Sequence, residues 1–265
     1  VRHPGRPGRA GPVRAPPIQL AYGDDEPLTD RLDRVTGLVR AHREADLVVL
    51  PELWPQGGFS YDRWAGEAQA LDGPVVTTMR ETARELGVAL HLGSLVERDD
   101  AGRLFNTSVL VNADGGIDAV YRKVHLFGFG DGEPKHLSAG DQVVVHDRVG
   151  LATCYDLRFP ELFRRLVDEG AQLVLLVAAW PAKRIAHWRL LAQARAVENQ
   201  CYVVACNTAG THDGVPMGGH SIVVDPWGEV LAEAGEDEQV LAVDLDLAAV
   251  RRTRESFPVL GDRRL

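Results

Sequence analysis

The strongest constraint on the fold is the alternation of short apolar runs with longer amphipathic segments. Residues 46–50 (DLVVL) are too few and too rich in β-branched side chains for a helix, and residues 171–180 (AQLVLLVAAW) form a second apolar run. Both runs predict buried strands. Ahead of the first run, Leu28, Leu32 and Val35 fall on one face of a predicted helix, with charged residues opposite.

Two predicted hairpins interrupt this alternation. Residues 105–125 contain two strand-prone runs around the turn-forming sequence ADGG, and residues 220–234 fold back at the sequence PWG. Alternating strands and helices with inserted hairpins predict an α/β fold with a mixed sheet, or two packed sheets with helices outside. Because no linker or repeat divides residues 18–265, we expect one domain there.

Composition and charge narrow the class of partner. The net charge is −9, yet residues 1–17 carry four arginines and no acidic residue, which predicts a disordered basic N-terminal arm. An acidic body without a basic stripe argues against a nucleic-acid partner. No apolar stretch approaches the roughly 20 residues of a membrane span, and the arm lacks the apolar segment of a secretory signal. Three cysteines, an odd count in a chain of this size, do not make a disulfide framework. Together these features predict a cytoplasmic protein.

Three chemically competent residues directly follow three predicted strands. Glu52 comes after VVLP, Lys123 after AVYR and Cys154 after GLAT. In α/β folds, sites gather beyond the ends of strands. Taken alone, each residue has a common alternative interpretation: a solvated loop acid, a charge at a sheet edge and an apolar filler. Their equivalent positions favour a shared site.

A carboxylate, an ammonium and a thiol together can cleave an amide or a nitrile. A cysteine with a pKa near 8.5 holds only a few per cent thiolate at neutral pH, so a carboxylate must accept its proton. The ammonium favours the thiolate and stabilises the oxyanion, an effect of about 3 kcal/mol per good donor. The carboxyl group then returns its proton to the leaving amine. Glu52, Lys123 and Cys154 supply these functions without histidine.

Three segments resemble the signatures of the nitrilase, or carbon–nitrogen hydrolase, superfamily. They are LPELWPQGGF around Glu52, YRKVHLF around Lys123 and TCYDLRFPELF around Cys154. The resemblance implies a four-layer α-β-β-α sandwich and a thioester that water attacks, with no cofactor. It also implies that Cys154 is the nucleophile, Glu52 the general base and Lys123 the electrostatic stabiliser. A homodimer or higher homo-oligomer is implied too, with residues 159–166 as a candidate interface.

Three further positions match the family less specifically. Glu133 corresponds to a second glutamate that helps orient the site, and an exposed loop acid is the alternative. The resemblance suggests that Tyr155 donates its backbone N–H to the oxyanion. Asn207 lines the pocket in one interpretation and is a strand-end turn residue in the other.

The residues after the cysteine indicate the branch of the family. CYDLRFPEL is similar to omega-amidases and deaminated-glutathione amidases, which implies a small, carboxylate-bearing amide and water as substrates. Arg158 is suited to a bidentate pair with a substrate carboxylate, or to an ion pair with Asp156 or Glu161. Lys183 and Arg184 either attract an anion as well or solvate the start of a helix.

The sequence lacks the motifs that other classes of hydrolase require. The nine histidines are scattered, with no H-E-x-x-H or paired C-x-x-C sequence, so we expect no metal site. Ser94 lies in LGSLV, which lacks the closing glycine of a serine hydrolase. Cys201 and Cys206 lie five residues apart on one predicted strand, too far apart for a disulfide, and are predicted to be core. A nitrilase, an N-carbamoyl hydrolase and an acyltransferase remain alternatives, whereas an inactive interaction module would have no reason to keep all three site residues.

Overall fold

Two sheets with helices on their outer faces dominate the structure. The computed structural model describes residues 11–129 and 131–264. In these residues the helices are α1 (Leu28–Ala41), α2 (Tyr61–Glu67), α3 (Pro74–Leu86), α4 (Glu133–His136), α5 (Pro160–Asp168), α6 (Ile185–Asn199) and α7 (Ala248–Ser256), with 3₁₀ helices at Cys154–Arg158, Ala182–Arg184 and Val259–Asp262. The strands are β1 (Val13–Arg14), β2 (Ile18–Gln19), β3 (Ala21–Tyr22), β4 (Leu47–Val49), β5 (Ala89–Arg98), β6 (Leu104–Val111), β7 (Ile117–Arg122), β8 (Val145–His146), β9 (Val149–Thr153), β10 (Leu173–Val177), β11 (Tyr202–Cys206), β12 (Ala209–His212), β13 (Val215–Pro216), β14 (Ile222–Val224), β15 (Val230–Glu233), β16 (Gln239–Val240) and β17 (Asp244–Leu245).

Both large sheets are mixed. One has the order β15-β14-β11-β10-β9-β8, in which β9, β10 and β11 are parallel, and the other has the order β4-β5-β6-β7, in which only β4 and β5 are parallel. Smaller sheets pair β13-β12-β3, β16-β2 and β1-β17. The parallel strands β9 to β11 end at the same edge, which brings the residues that follow them together.

The two-residue period of buried strands produces the four layers. Along the β4 segment, Leu47 and Val49 face the core between the two sheets, whereas Val48 and Leu50 face α1 and α3. Helices α5 and α6 cover the outer face of the other sheet in the same way. Each fully buried leucine or valine contributes about 1.5–3 kcal/mol. The predicted α-β-β-α sandwich is therefore confirmed.

The prediction of a disordered arm over residues 1–17 is wrong for residues 13–17. Residues 1–10 lie outside the described residues, but Val13 pairs with Leu245. The carbonyl oxygens of Pro16 and Pro17 accept hydrogen bonds from the backbone N–H groups of Val49 and Leu241. A proline lacks the backbone donor but keeps its acceptor, so both prolines still join the neighbouring segments.

All three cysteines are free and buried, so the predictions of unpaired core residues at Cys201 and Cys206 are confirmed. Cys206 lies in the core between the sheets, and Cys201 lies under α5 and α6. Across the described residues, no helix combines the length and the apolar character that crossing a membrane requires.

A bulge in β5 shapes the turn that follows β4. The pairing with β6 shifts register between His91 and Ser94, and Gly93 between them adopts a φ of +74°. The Ser94 hydroxyl accepts the backbone N–H of Leu53, and the Ser94 N–H donates to the Pro51 carbonyl oxygen. The bulge therefore holds Pro51 and Leu53, the two residues on either side of Glu52.

Replacing Gly93 by alanine is expected to displace this turn, because a Cβ there would collide with the Pro51 carbonyl oxygen. Gly102→Ala is the matched control, since Gly102 also has a positive φ but open space around it. The control carries only the left-handed backbone cost of about 1–2 kcal/mol. Urea unfolding should show a clearly larger loss for Gly93→Ala, and equal losses would contradict the role of the bulge.

Candidate active site

A buried lysine links two glutamates that are distant in sequence. Lys123 Nζ lies 2.8 Å from Glu52 Oε1 and 2.9 Å from Glu133 Oε1. The Asn106 amide donates to the same two oxygens, at 2.8 and 2.9 Å. All four residues are at most 3% exposed. The structure thus joins three of the sequence-predicted site residues in one buried network.

Strand ends from both large sheets position the Glu52 carboxylate. Glu52 follows β4, and its Oε2 accepts the backbone N–H of Ala179, just beyond β10, at 2.7 Å. Its Oε1 already accepts Lys123 and Asn106. Three donors therefore fix both oxygens, and one of the donors belongs to the facing sheet.

Glu133 connects the lysine to a loop. Its Oε2 accepts the backbone N–H of Phe127 at 2.7 Å, and its own N–H donates to the Phe127 carbonyl oxygen at 2.8 Å. Lys123 in turn donates its backbone N–H to Asn106 O, which ties the end of β7 to β6. Glu133 is buried, so the alternative of an exposed loop acid is wrong.

Cys154 begins a sharp turn at the end of β9. Its φ is +47°, a left-handed conformation that is uncommon for a residue with a Cβ. The turn enters the 3₁₀ helix Cys154–Arg158, which starts with a capping box between Thr153 and Asp156. Fixed hydrogen bonds therefore keep the thiol in this conformation.

Asp156 is the centre of these hydrogen bonds. Its fully buried carboxylate accepts the Thr153 N–H at 2.8 Å, the Tyr121 hydroxyl at 2.6 Å, and both the N–H and the Nδ1 of His125, at 3.1 and 2.7 Å. His125 also stacks on Phe159 with ring centroids 3.8 Å apart. The carboxylate joins the end of β7 to the turn that carries the cysteine.

Burial and the charges of the network both affect the protonation of Cys154. Burial, and then the Glu52 carboxylate, raise the pKa of the Cys154 thiol well above its usual range, and the Lys123 ammonium offsets this only in part. Burial alone would lower the pKa of Lys123, but the Glu133 and Glu52 carboxylates outweigh it, so this pKa is raised. Burial and the Glu52 charge likewise raise the pKa of Glu133 against the pull of Lys123. Both shifts favour a neutral thiol at Cys154 beside a charged lysine.

The thiol opens into a small cleft. Aromatic and proline side chains form most of its walls, and two guanidinium groups complete them; the lining includes Phe59, Phe127, Tyr155, Trp180, Arg158 and Arg184. The cleft therefore offers apolar walls with positive charge, which suits a small organic anion.

Arg158 lines the cleft, which agrees with the interpretation that it binds a substrate carboxylate. Its guanidinium lies 4.8 Å from the Trp180 ring centroid and donates to His187 Nδ1 at 3.2 Å. In the described residues it forms no ion pair with Asp156 or Glu161, because Asp156 is already saturated by other donors. The alternative of a structural ion pair is wrong.

Asn207 does not line the cleft. It is fully buried, its Oδ1 accepts the Trp180 N–H at 2.7 Å, and its Nδ2 donates to the carbonyl oxygens of Trp180 and Gly219 at 3.2 and 2.7 Å. The pocket-lining interpretation is therefore wrong. Asn207 holds the backbone of Trp180, which does line the cleft.

Sequence reasoning missed Asn106 and the role of Asp156. Asn106 is a polar residue within a buried strand, and buried amides need partners, which was the available signal. The sequence indicates Asp156 only as an ion-pair partner of Arg158. In the described residues, no group of three histidine, cysteine, aspartate or glutamate side chains is arranged to hold a metal ion.

The comparison with known families agrees with the geometry. The carbon–nitrogen hydrolase family model matches residues 13–255. The chain belongs to the carbon–nitrogen hydrolase family. The sequence-based assignment to the nitrilase superfamily is therefore confirmed.

Known relatives of this hydrolase include amidases. The 2-oxoglutaramate amidase of Paenarthrobacter nicotinovorans is 45% identical over 258 residues, covering 93% of this chain and 88% of that protein. The carbon–nitrogen hydrolase superfamily protein XC1258 from Xanthomonas campestris, solved with an arsenic adduct in its active site, is 32% identical with a TM-score of 0.88 and covers 97% of this chain and 98% of its own. A mutant amidase from Nesterenkonia sp. AN1 was solved with the acetamide moiety of fluoroacetamide added covalently at its active-site cysteine. It is 28% identical with a TM-score of 0.80, and the match covers 95% of this chain and 97% of that chain.

Asp156→Asn is expected to loosen the turn that carries Cys154, because an amide nitrogen cannot accept the donors that now meet the carboxylate. We expect a loss of about 2–4 kcal/mol in the free energy of unfolding and a lower kcat for amide hydrolysis. Tyr121→Phe removes only one of these bonds and is the matched control. Denaturant unfolding and ammonia release measure both effects, and equal behaviour of the two variants would contradict the central role of Asp156.

Proposed function

We propose that this hydrolase removes ammonia from small linear amides that carry a carboxylate, with 2-oxoglutaramate as the first candidate substrate. The observation that supports the chemistry is the buried network of Glu52, Lys123 and Glu133 next to the Cys154 thiol. The substrate class is supported by the positively charged cleft and by the 45% identity to a 2-oxoglutaramate amidase.

Attack on the amide begins with proton transfer. Because the resting thiol is neutral, Glu52 accepts its proton as the Cys154 sulfur bonds to the amide carbon. The carbonyl oxygen becomes an oxyanion, which the Lys123 ammonium stabilises from within the buried network. The backbone N–H of Tyr155, the residue after the nucleophile, is the second proposed donor to this oxygen.

Collapse of this tetrahedral intermediate breaks the C–N bond. Glu52 returns its proton to the nitrogen, ammonia leaves, and the acyl group remains on Cys154 as a thioester. A water molecule then attacks the thioester while Glu52 accepts a proton from it. The second collapse releases the carboxylic acid and restores the thiol, so one carboxyl group serves as base and acid in turn.

Glu133 acts through Lys123 and the Phe127 loop and is therefore a positioning residue. It supplies the second carboxylate that keeps Lys123 charged. It also fixes Phe127, whose ring lies on the cleft wall. One side chain thus couples the ammonium to the shape of the substrate pocket.

Arg158 is the proposed partner of the substrate carboxylate. Trp180 and His187 hold its side chain on the cleft wall, and in the described residues no acidic side chain pairs with it. A guanidinium can donate two parallel hydrogen bonds to a carboxylate, which orients the amide end of the substrate towards Cys154.

The homo-oligomer with α5 at its interface and the cytoplasmic location both remain predictions. The monomer mass of 28.9 kDa allows sedimentation to check the first. Fractionation of the source cells checks the second.

Cys154→Ala is expected to abolish ammonia release from 2-oxoglutaramate, because no other described thiol reaches the cleft. Cys201→Ala, which removes a buried thiol that does not line the cleft, is the matched control and should retain activity. Rapid-quench mass spectrometry of the unmodified protein should detect a transient acyl adduct that Cys154→Ala lacks. Turnover by Cys154→Ala, or an adduct on another residue, would refute the proposed nucleophile.

A further inference from the structure

Arg184 places a second guanidinium in the cleft beside Arg158. Its carbonyl oxygen accepts the Trp180 indole N–H at 2.9 Å, which holds the start of α6 against the cleft wall. Its guanidinium lies 5.1 Å from the Phe127 ring centroid, and Arg158 lies over Trp180. Aromatic faces therefore hold both guanidinium groups in place. In the described residues one Arg158 N–H donates to His187, and the other guanidinium donors remain available for an anion.

No carboxylate in the described structure compensates these two charges. Neither Arg158 nor Arg184 forms an ion pair with a described acidic residue, whereas Glu52 and Glu133 accept Lys123, Asn106 and backbone N–H groups. The acidic side chains next to the cleft are thus already occupied. The two guanidinium groups remain available for an anion from outside.

The pKa of Arg184 also indicates that no carboxylate of the described residues compensates the two charges. Burial, followed by the charge of Arg158, lowers the pKa of Arg184. Like charges that share a half-buried cleft repel each other unless an anion lies between them. A bound carboxylate would remove this repulsion, and a neutral ligand of the same size would not.

We propose that Arg184 and Arg158 together bind one carboxylate of the substrate, and that this shared site selects monoamides of short dicarboxylic acids over neutral amides. The inference rests on the proposed amidase function and adds Arg184 as a specificity-determining residue. The aromatic walls then enclose the short carbon chain that connects the carboxylate to the amide at Cys154.

Lys183 provides a matched control. It is adjacent to Arg184 in the same 3₁₀ helix and has the same charge, but it is exposed and lies outside the cleft. An effect of overall charge on anion attraction would appear in both variants. An effect of direct binding would appear only at Arg184.

The test compares two ligands of nearly equal size, glutaramate and its neutral diamide, glutaramide. Calorimetry measures the binding of each ligand to the Cys154→Ala variant. The same measurement is made after adding Arg184→Gln, Arg158→Gln, the two arginine substitutions together, or Lys183→Gln to that variant. We expect Arg184→Gln to weaken glutaramate binding about tenfold or more, as for a lost charge-assisted hydrogen bond. The same substitution should change glutaramide binding by no more than about twofold. Lys183→Gln should likewise change glutaramate binding by no more than about twofold. Since one carboxylate is shared, the effects of the two arginine substitutions should not be additive.

The same variants with Cys154 intact give a second measurement, the ratio of kcat/KM for the two amides. Arg184→Gln should lower that ratio, and Lys183→Gln should not. Equal weakening of both ligands, equal effects of Arg184→Gln and Lys183→Gln, or additive arginine effects would overturn the shared carboxylate site while leaving the amidase function intact. Arginine-dependent binding without ammonia release by the unmodified protein would instead refute the function and keep the site.

Discussion

The site depends on one buried ammonium held between two carboxylates. Glu52 and Glu133 both accept Lys123 within hydrogen-bond distance and are almost fully buried, so without the ammonium they could not both remain charged. This interaction also requires a particular fold. The two large sheets must pack face to face, since Glu52 follows β4, Lys123 follows β7, and the donor from Ala179 follows β10 of the other sheet.

The same interaction explains why a cysteine can act here without histidine. One ammonium compensates one carboxylate, and the second carboxylate leaves the network negative, so a thiolate at Cys154 would add another buried negative charge. The thiol stays protonated until a substrate carbonyl can take up the charge as an oxyanion near Lys123. Glu52 is already aligned by three donors and needs no rearrangement to accept the proton.

The apolar runs predicted buried strands with helices around them and placed Cys154 at a strand end, whereas the four layers were implied by the family resemblance. Contacts between distant segments were not predictable in this way. Asn106 lies in the middle of a strand, and only the packed structure shows that its amide joins two glutamates. The roles of Asp156 and Asn207 depend on which backbone groups lie opposite them, which local sequence does not contain. The basic composition of residues 1–17 predicted an arm, whereas the pairing of Val13 with Leu245 depends on a segment more than 200 residues away.

The most direct test of this account is the protonation state of Cys154 in the free protein. The thiolate absorbance, measured as the difference between the unmodified protein and Cys154→Ala, can be followed from about pH 6 to pH 9, a range that includes the ordinary cysteine pKa. We expect no thiolate signal in that range, and Glu52→Gln should bring the signal to lower pH because it removes the carboxylate that raises the pKa of the thiol. A full thiolate signal at neutral pH would contradict the account, since Glu52 would then have no proton to accept.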